Sequence, residues 1–278
     1  PRPRSFTGAD DININVWDYG GNGPPLLLLH CTGTHGRVWD PLVPAFLPHF
    51  HVYAPETRGH GDSDTPNDPA AYHWRNSGED LITVLAQLED ELAGKKLFGA
   101  GHSAGGAHLA YAEVYRPGTF DKMALIDPII GPKELFRADS RLAVASQRRR
   151  NDFANRAAAR ARYASKPPMN AWRADVLDAY VEHGLTDMPD GTVTLKIPGP
   201  IEAAVYDHAG ASDVYERLHE LQSPVLLVTG DKSDTRNLVQ LQRPRIPNVR
   251  FHQMPDTGHF IPQERPDETA QLLRDWFL

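Results

Sequence analysis

Three uninterrupted apolar runs of strand length, Leu26–Leu29, Met123–Ile126 and the stretch Pro224–Thr229, set the strongest limit on how this chain can fold. A strand with one face in water alternates apolar and polar residues, whereas a strand covered by helices on both faces does not, which is the condition of a parallel sheet. Ile12–Trp17 does alternate and reads as a half-exposed strand, His51–Ala54 is a weaker signal, and Val249–Met254 is another strand near the end. Between these runs lie helix patterns: Leu81, Val84, Leu85 and Leu88 form an apolar stripe within Glu79–Leu92, Ala104–Tyr115 is helix-compatible, and Glu268–Leu278 closes the chain. Strands alternating with helices predict an α/β fold with a mostly parallel central sheet flanked by helices. From Gly131 to Leu221 the strand signal stops. The chain there turns helical and arginine-rich, with breaks at Pro167-Pro168, Pro189-Asp190-Gly191 and Pro198-Gly199-Pro200. This predicts a helical cap at 131–221 inserted into a core made of 1–130 and 222–278, within the reach of a chain of 278 residues.

Gly101-His102-Ser103-Ala104-Gly105 follows the run Lys96–Ala100 directly and precedes the Ala104–Tyr115 helix, so Ser103 falls on a strand-to-helix turn. A turn that sharp forces unfavourable backbone angles on the serine and packs its neighbours tightly, which is why glycine is wanted two positions to either side. Its hydroxyl is pushed out at the sheet edge as a candidate nucleophile. A serine hydroxyl needs a base within hydrogen-bond reach, itself oriented by a third group. Loops that follow parallel strands emerge at the same carboxyl edge as Ser103. Two residues fit: Asp234, after the strand ending at Thr229, and His259, after the final strand. Asp127 also ends a strand and competes with Asp234 as the acid, while Asp231, nearer its strand, reads as a turn-shaping residue.

The order serine, acid, histidine, with His30-Cys31-Thr32-Gly33, Arg58-Gly59-His60-Gly61-Asp62-Ser63, the Gly230–Asp234 loop and Gly258-His259-Phe260, resembles the α/β-hydrolase superfamily along the whole chain. The resemblance implies a cofactor-independent serine hydrolase that cleaves a carboxylic ester of a small molecule. Ser103 would attack the carbonyl, His259 would move the proton and Asp234 would orient His259. The backbone amides of Thr32 and Ala104 would serve as the oxyanion hole. Some members of the superfamily draw the acid from the position of Asp127. Carbon–carbon bond hydrolases, lactonases and non-turnover ligand receptors share the scaffold and remain alternatives. Serine at 103 argues against the haloalkane dehalogenases and epoxide hydrolases, whose nucleophile is a carboxylate. Cys31 stands where the superfamily usually has glycine, and a side chain there could narrow the oxyanion loop or displace Thr32.

A formal charge of −7 offers no basic footprint for nucleic acid or anionic membranes. The longest apolar run, Pro24–Leu29, is far short of a membrane span. A single cysteine excludes an intrachain disulfide or a thiolate cluster and, with no leader visible at Pro1–Arg4, makes a cytoplasmic location the expectation. The 13 histidines include no His-Glu-x-x-His, so no metal is expected; His30 reads as a brace of the oxyanion loop and His102 as packing in the turn. Glu56 reads as ordering its own loop. Trp39, Phe136 and Trp172 are candidates for an acyl pocket, as are Tyr180 and Tyr206. The arginines at 141, 148, 149, 150, 156, 160 and 162 read as a solvated helix face rather than a carboxylate trap. The oligomeric state is not fixed by the sequence.

Overall fold

The computed structural model describes residues 1–92, 94–136, 140–210 and 212–278. Eight strands form the main sheet: β1 (Arg2–Thr7), β2 (Asn13–Gly20), β3 (Pro25–Leu29), β4 (His51–Pro55), β5 (Phe98–His102), β6 (Lys122–Ile126), β10 (Val225–Gly230) and β11 (Val249–Met254). Their spatial order is β1-β2-β4-β3-β5-β6-β10-β11, antiparallel through β1, β2 and β4 and parallel from β4 onward. The apolar runs lie where both faces are covered. Leu27, Leu29, Met123, Leu125, Val225 and Leu227 point into one core with the helices Trp74–Gln87 and Ala104–Tyr115. Their alternating neighbours Leu26, Leu28, Ala124, Ile126, Leu226 and Val228 point into the other, which the helix Pro266–Phe277 closes. Each fully buried Leu or Ile in these runs contributes about 1.5–3 kcal/mol of transfer free energy. Strand β2, paired on both sides by β1 and β4, is more buried than its alternation implies, since Ile14, Asn15, Val16 and Asp18 are all buried.

The chain between β6 and β10 corrects one expectation. It carries the helices Arg141–Gln147, Arg156–Ala164, Ala174–His183 and Gly199–Asp207, and also a three-stranded antiparallel sheet of β7 (Asp152–Phe153), β8 (Leu185–Asp187) and β9 (Val193–Leu195) in the order β7-β9-β8. Asp190-Gly191, read from sequence as a helix break, is the turn of the β8–β9 hairpin, with Gly191 at φ +85°. Strands of two or three residues are too short to register as periodicity, although an Asp-Gly pair between Thr-rich flanks is a hairpin signal. Positions 137–139 and 211 of the expected insertion lie outside the described residues. The inserted chain meets loops at the carboxyl edge of the main sheet: Tyr180 stacks on His35, Trp172 packs against Phe260, and the Arg173 amide donates to the Gln263 carbonyl. Among the described residues no helix is long and apolar enough to cross a membrane.

Candidate active site

Ser103 sits at φ 57° and ψ −116°, between β5 and the helix that starts at Ala104. Both glycines of its motif are required by close approach. A Cβ on Gly101 would lie 2.4 Å from the Gly105 carbonyl oxygen, and one on Gly105 would lie 2.6 Å from the carbonyl oxygens of Leu29 and His30. The Ser103 amide donates to the Ile126 carbonyl at 2.9 Å, tying the turn to β6. The serine is 6% exposed, at the carboxyl edge.

His259 arrives from the loop after β11. Its Nε2 is 3.0 Å from Ser103 Oγ, and its Nδ1 is 2.6 Å from Asp127 Oδ2. The three residues therefore form one continuous hydrogen-bonded chain. The sequence did not single out the support behind it: His102, next to the nucleophile, donates through Nε2 to the His259 carbonyl at 2.9 Å and lies ring to ring with it at 5.0 Å. Burial holds the His102 imidazole below its usual range, so it stays neutral.

The acid beside His259 is Asp127, and the expectation of Asp234 is corrected. Asp127 follows β6, the strand adjacent to β5, and its side chain is fully buried. Besides His259, it accepts hydrogen bonds from Thr229 Oγ1 at 2.5 Å, Thr235 Oγ1 at 2.6 Å and Ser233 Oγ. Burial alone would raise its carboxyl, but the bonds from His259, Ser233 and Thr229 outweigh that and hold it below the usual carboxylate range. Asp234 is exposed and has no hydrogen bond or ion pair among the described residues. Both loops reach the same sheet edge, so the edge rule alone could not separate them. The available signal was Ser233 and Thr235 on either side of Asp234, two hydroxyl donors suited to an acid brought by another loop.

On the other side of Ser103, residues 30–34 form a pinned turn. His30 donates from Nδ1 to the Cys31 carbonyl at 2.9 Å and accepts at Nε2 from the Thr57 amide at 3.1 Å. His60 accepts at Nε2 from the amide of Gly33, whose φ is +80°, and donates from Nδ1 to the Arg58 carbonyl. Burial keeps His30 neutral, pushing it down to about 4, and holds His60 well below its ordinary value. Thr32 and Ala104 are buried, and neither amide has an acceptor among the described residues. Cys31 is buried, and desolvation pushes its thiol up to about 12, so it stays a protonated filler beside Thr34. Glu56 accepts from the amides of Gly36 and Asp62 and from Asn15 Nδ2, ordering the loop that follows β4.

The aromatic candidates separate. Trp39 is fully buried in the core with Leu42, Phe46 and Ile126, so it is corrected from pocket wall to packing. Trp172 is likewise buried, edge-on to Tyr180 and against Phe260, where it braces the loop of His259 rather than presenting a face to a ligand. Phe136 is half-buried against Gly131 and Gly210. The arginines divide too. Arg156 and Arg160 pair with Asp187 and Asp178, and Arg141, Arg148, Arg150 and Arg162 are exposed. Arg149 turns inward to buried Glu202 and to the Tyr180 hydroxyl, and a Cβ on Gly33 would meet Glu202 Oε1 at 2.4 Å. Among the described residues no cluster of three His, Cys, Asp or Glu could hold a metal ion.

An imidazole held between a hydroxyl and a buried carboxylate can take the hydroxyl proton and be stabilised once charged. Known proteins share the frame. The lipase LipV of Mycobacterium tuberculosis is 28% identical over 269 residues, covering 95% of this chain and 97% of that protein. A fluoroacetate dehalogenase of Burkholderia is 25% identical over 292 residues, covering 98% and 93%. The crystal structure of E-2-(acetamidomethylene)succinate hydrolase superposes with a TM-score of 0.80 at 22% identity, over 99% of this chain and 98% of that one. Residues 26–272 match the alpha/beta hydrolase family, and the chain belongs to it.

Proposed function

We propose that this protein is a serine hydrolase that cleaves a small-molecule carboxylic ester through an acyl-enzyme on Ser103, with His259 as base and Asp127 as acid. The hydrogen-bonded chain from Ser103 Oγ through His259 to Asp127 carries the reading. Ser103 Oγ attacks the ester carbonyl as its proton passes to His259 Nε2, and the carbonyl oxygen becomes an oxyanion held by the amides of Thr32 and Ala104. The intermediate collapses, the C–O bond to the alcohol breaks, and Nε2 returns the proton to the leaving oxygen. Water then attacks the acyl carbon, gives its proton to Nε2, and frees the acid with Ser103 restored. Asp127 holds the proton of His259 on Nδ1 and offsets the positive charge on the ring. No cofactor takes part in this scheme.

Segment 131–221 acts as a cap over this edge. Carbon–carbon bond hydrolysis of an anionic substrate is disfavoured because Arg149, whose guanidinium lies beside Gly33 of the oxyanion loop, is already engaged by Glu202. The single, buried Cys31 supports a cytoplasmic setting, which cell fractionation checks. A fluorophosphonate probe together with short and medium p-nitrophenyl esters tests the central claim. Labelling of Ser103 with ester turnover is expected. Stoichiometric labelling without turnover would assign a ligand receptor, and an unlabelled Ser103 with no ester cleaved would remove the enzyme reading.

A further inference from the structure

The loop after β10 reaches the site with two hydroxyls. Ser233 Oγ and Thr235 Oγ1 both donate to Asp127 Oδ2, the same oxygen that accepts the hydrogen bond from His259 Nδ1, while Thr229 Oγ1 serves Oδ1. Thr235 Oγ1 also lies 3.2 Å from His259 Nδ1 and 2.9 Å from Ser233 Oγ. The loop is fixed to the β11 side by the Asp231 amide on the Met254 carbonyl and the Lys232 amide on the Thr257 carbonyl, each at 3.0 Å. Three loops that carry no common secondary structure are thus cross-linked at one carboxylate oxygen.

We infer that Ser233 and Thr235 are positioning residues of the Ser103–His259–Asp127 site, holding the Asp127 carboxylate charged and turned so that Oδ2 faces the imidazole. The inference rests on the catalytic reading above. A buried carboxylate without donors either takes up a proton or swings to find a partner, and both outcomes release the imidazole. Asp127, itself at φ 44°, has a fully buried side chain with no water to fall back on. The two hydroxyls take that place.

Thr235→Val keeps the volume and deletes the donor. Loss of one hydrogen bond to a charged group should lower kcat roughly 10- to 100-fold, with KM unchanged. The acid limb of the pH–rate profile should move to lower pH, because an imidazole released by a protonated or turned-away Asp127 loses the anion that favours its charged form. Thr235→Ser should restore both, and Ser233→Ala should act in the same direction. Proton NMR of the resting protein supplies a readout independent of turnover: a low-field Nδ1–H resonance from His259, shifted or lost in Thr235→Val and recovered in Thr235→Ser. Unchanged kcat, acid limb and low-field resonance in Thr235→Val would overturn the inference. If Ser103 of the parent protein takes no fluorophosphonate, the catalytic reading falls by itself, and the resonance alone decides whether the hydroxyls hold the Asp127–His259 pair.

Discussion

The two flanks of Ser103 handle buried polarity in opposite ways. Toward β6, β10 and β11 the site holds a full charge, Asp127, satisfied by three hydroxyls and an imidazole. Toward β3 and β4 it holds neutral rings, His30 and His60, which tie down backbone amides and carbonyls and bring no charge. The difference follows from what each flank has to face. A positive imidazole forms on one side and needs an anion already in place. A negative oxygen forms on the other, where neutral rings hold the loop without competing for the free amides and the Glu202 carboxylate beside Gly33 is paired with Arg149.

The most direct way to break this contrast is at the charge itself. Asp127→Asn keeps the shape but removes the anion and lets the imidazole take the wrong tautomer, so turnover of a p-nitrophenyl ester should fall about 10⁴-fold by analogy with serine-protease triads. Asp234→Asn, on the exposed loop position, should leave kcat unchanged. The reverse pattern in steady-state kinetics would move the acid to the β10 loop.

That pair also marks how far the residue pattern could be read. The sheet was legible because its strands are buried on both faces, which leaves unbroken apolar runs at Leu26–Leu29 and Met123–Ile126. Ser103 and His259 were legible because a glycine-flanked turn and the last carboxyl-edge loop leave few alternatives. The acid was not, because Asp127 and Asp234 end loops at the same edge and only side-chain reach separates them. Trp39 misled for a related reason. An indole is equally at home in a core or a pocket, and here the residues around it, Leu42, Phe46 and Ile126, belong to the core. The β7–β9–β8 sheet stayed hidden because strands of two or three residues are too short to repeat an alternation.

The neutral flank is sharpened at His60. Its Nε2 accepts from the Gly33 amide at 3.1 Å, next to Thr32, and Gly33 holds a left-handed φ that another partner would have to maintain. His60→Phe removes the acceptor while filling the space. If the Thr32 amide then drifts from the developing oxyanion, kcat should fall by about 10²–10³, the usual loss for one such donor. KM for the ester should change little, because the donor matters most in the transition state. An unchanged kcat would mean that the turn of residues 30–34 holds its shape without His60, and the neutral flank would lose its catalytic meaning.

The smallest effect tests whether the neutral rings are neutral in fact. His108, one turn into the helix behind Ser103, is buried edge-on to Trp74, and neither ring nitrogen has a partner among the described residues. Burial, with smaller contributions from His30 and Arg58, pushes its imidazole down to about 3. An unfolded histidine titrates near 6.5, so between that pH and about 3 the unfolded chain binds a proton that the folded one refuses. Stability therefore rises with pH across this window and is lost as pH falls through it. Each such histidine contributes a slope of about 1.4 kcal/mol per pH unit. His30, at about 4, and His35, at about 3, act with the same sign. His108→Leu should make the dependence of unfolding free energy on pH, measured in urea between pH 7 and 5, shallower by about 0.7 proton on average and by close to one proton near pH 5. Ester turnover at neutral pH should be unaffected, since the ring touches neither Ser103 nor the oxyanion turn. An unchanged slope would show that His108 is protonated in the folded protein, and a buried cation behind the nucleophile would erase the division between a charged flank and a neutral one.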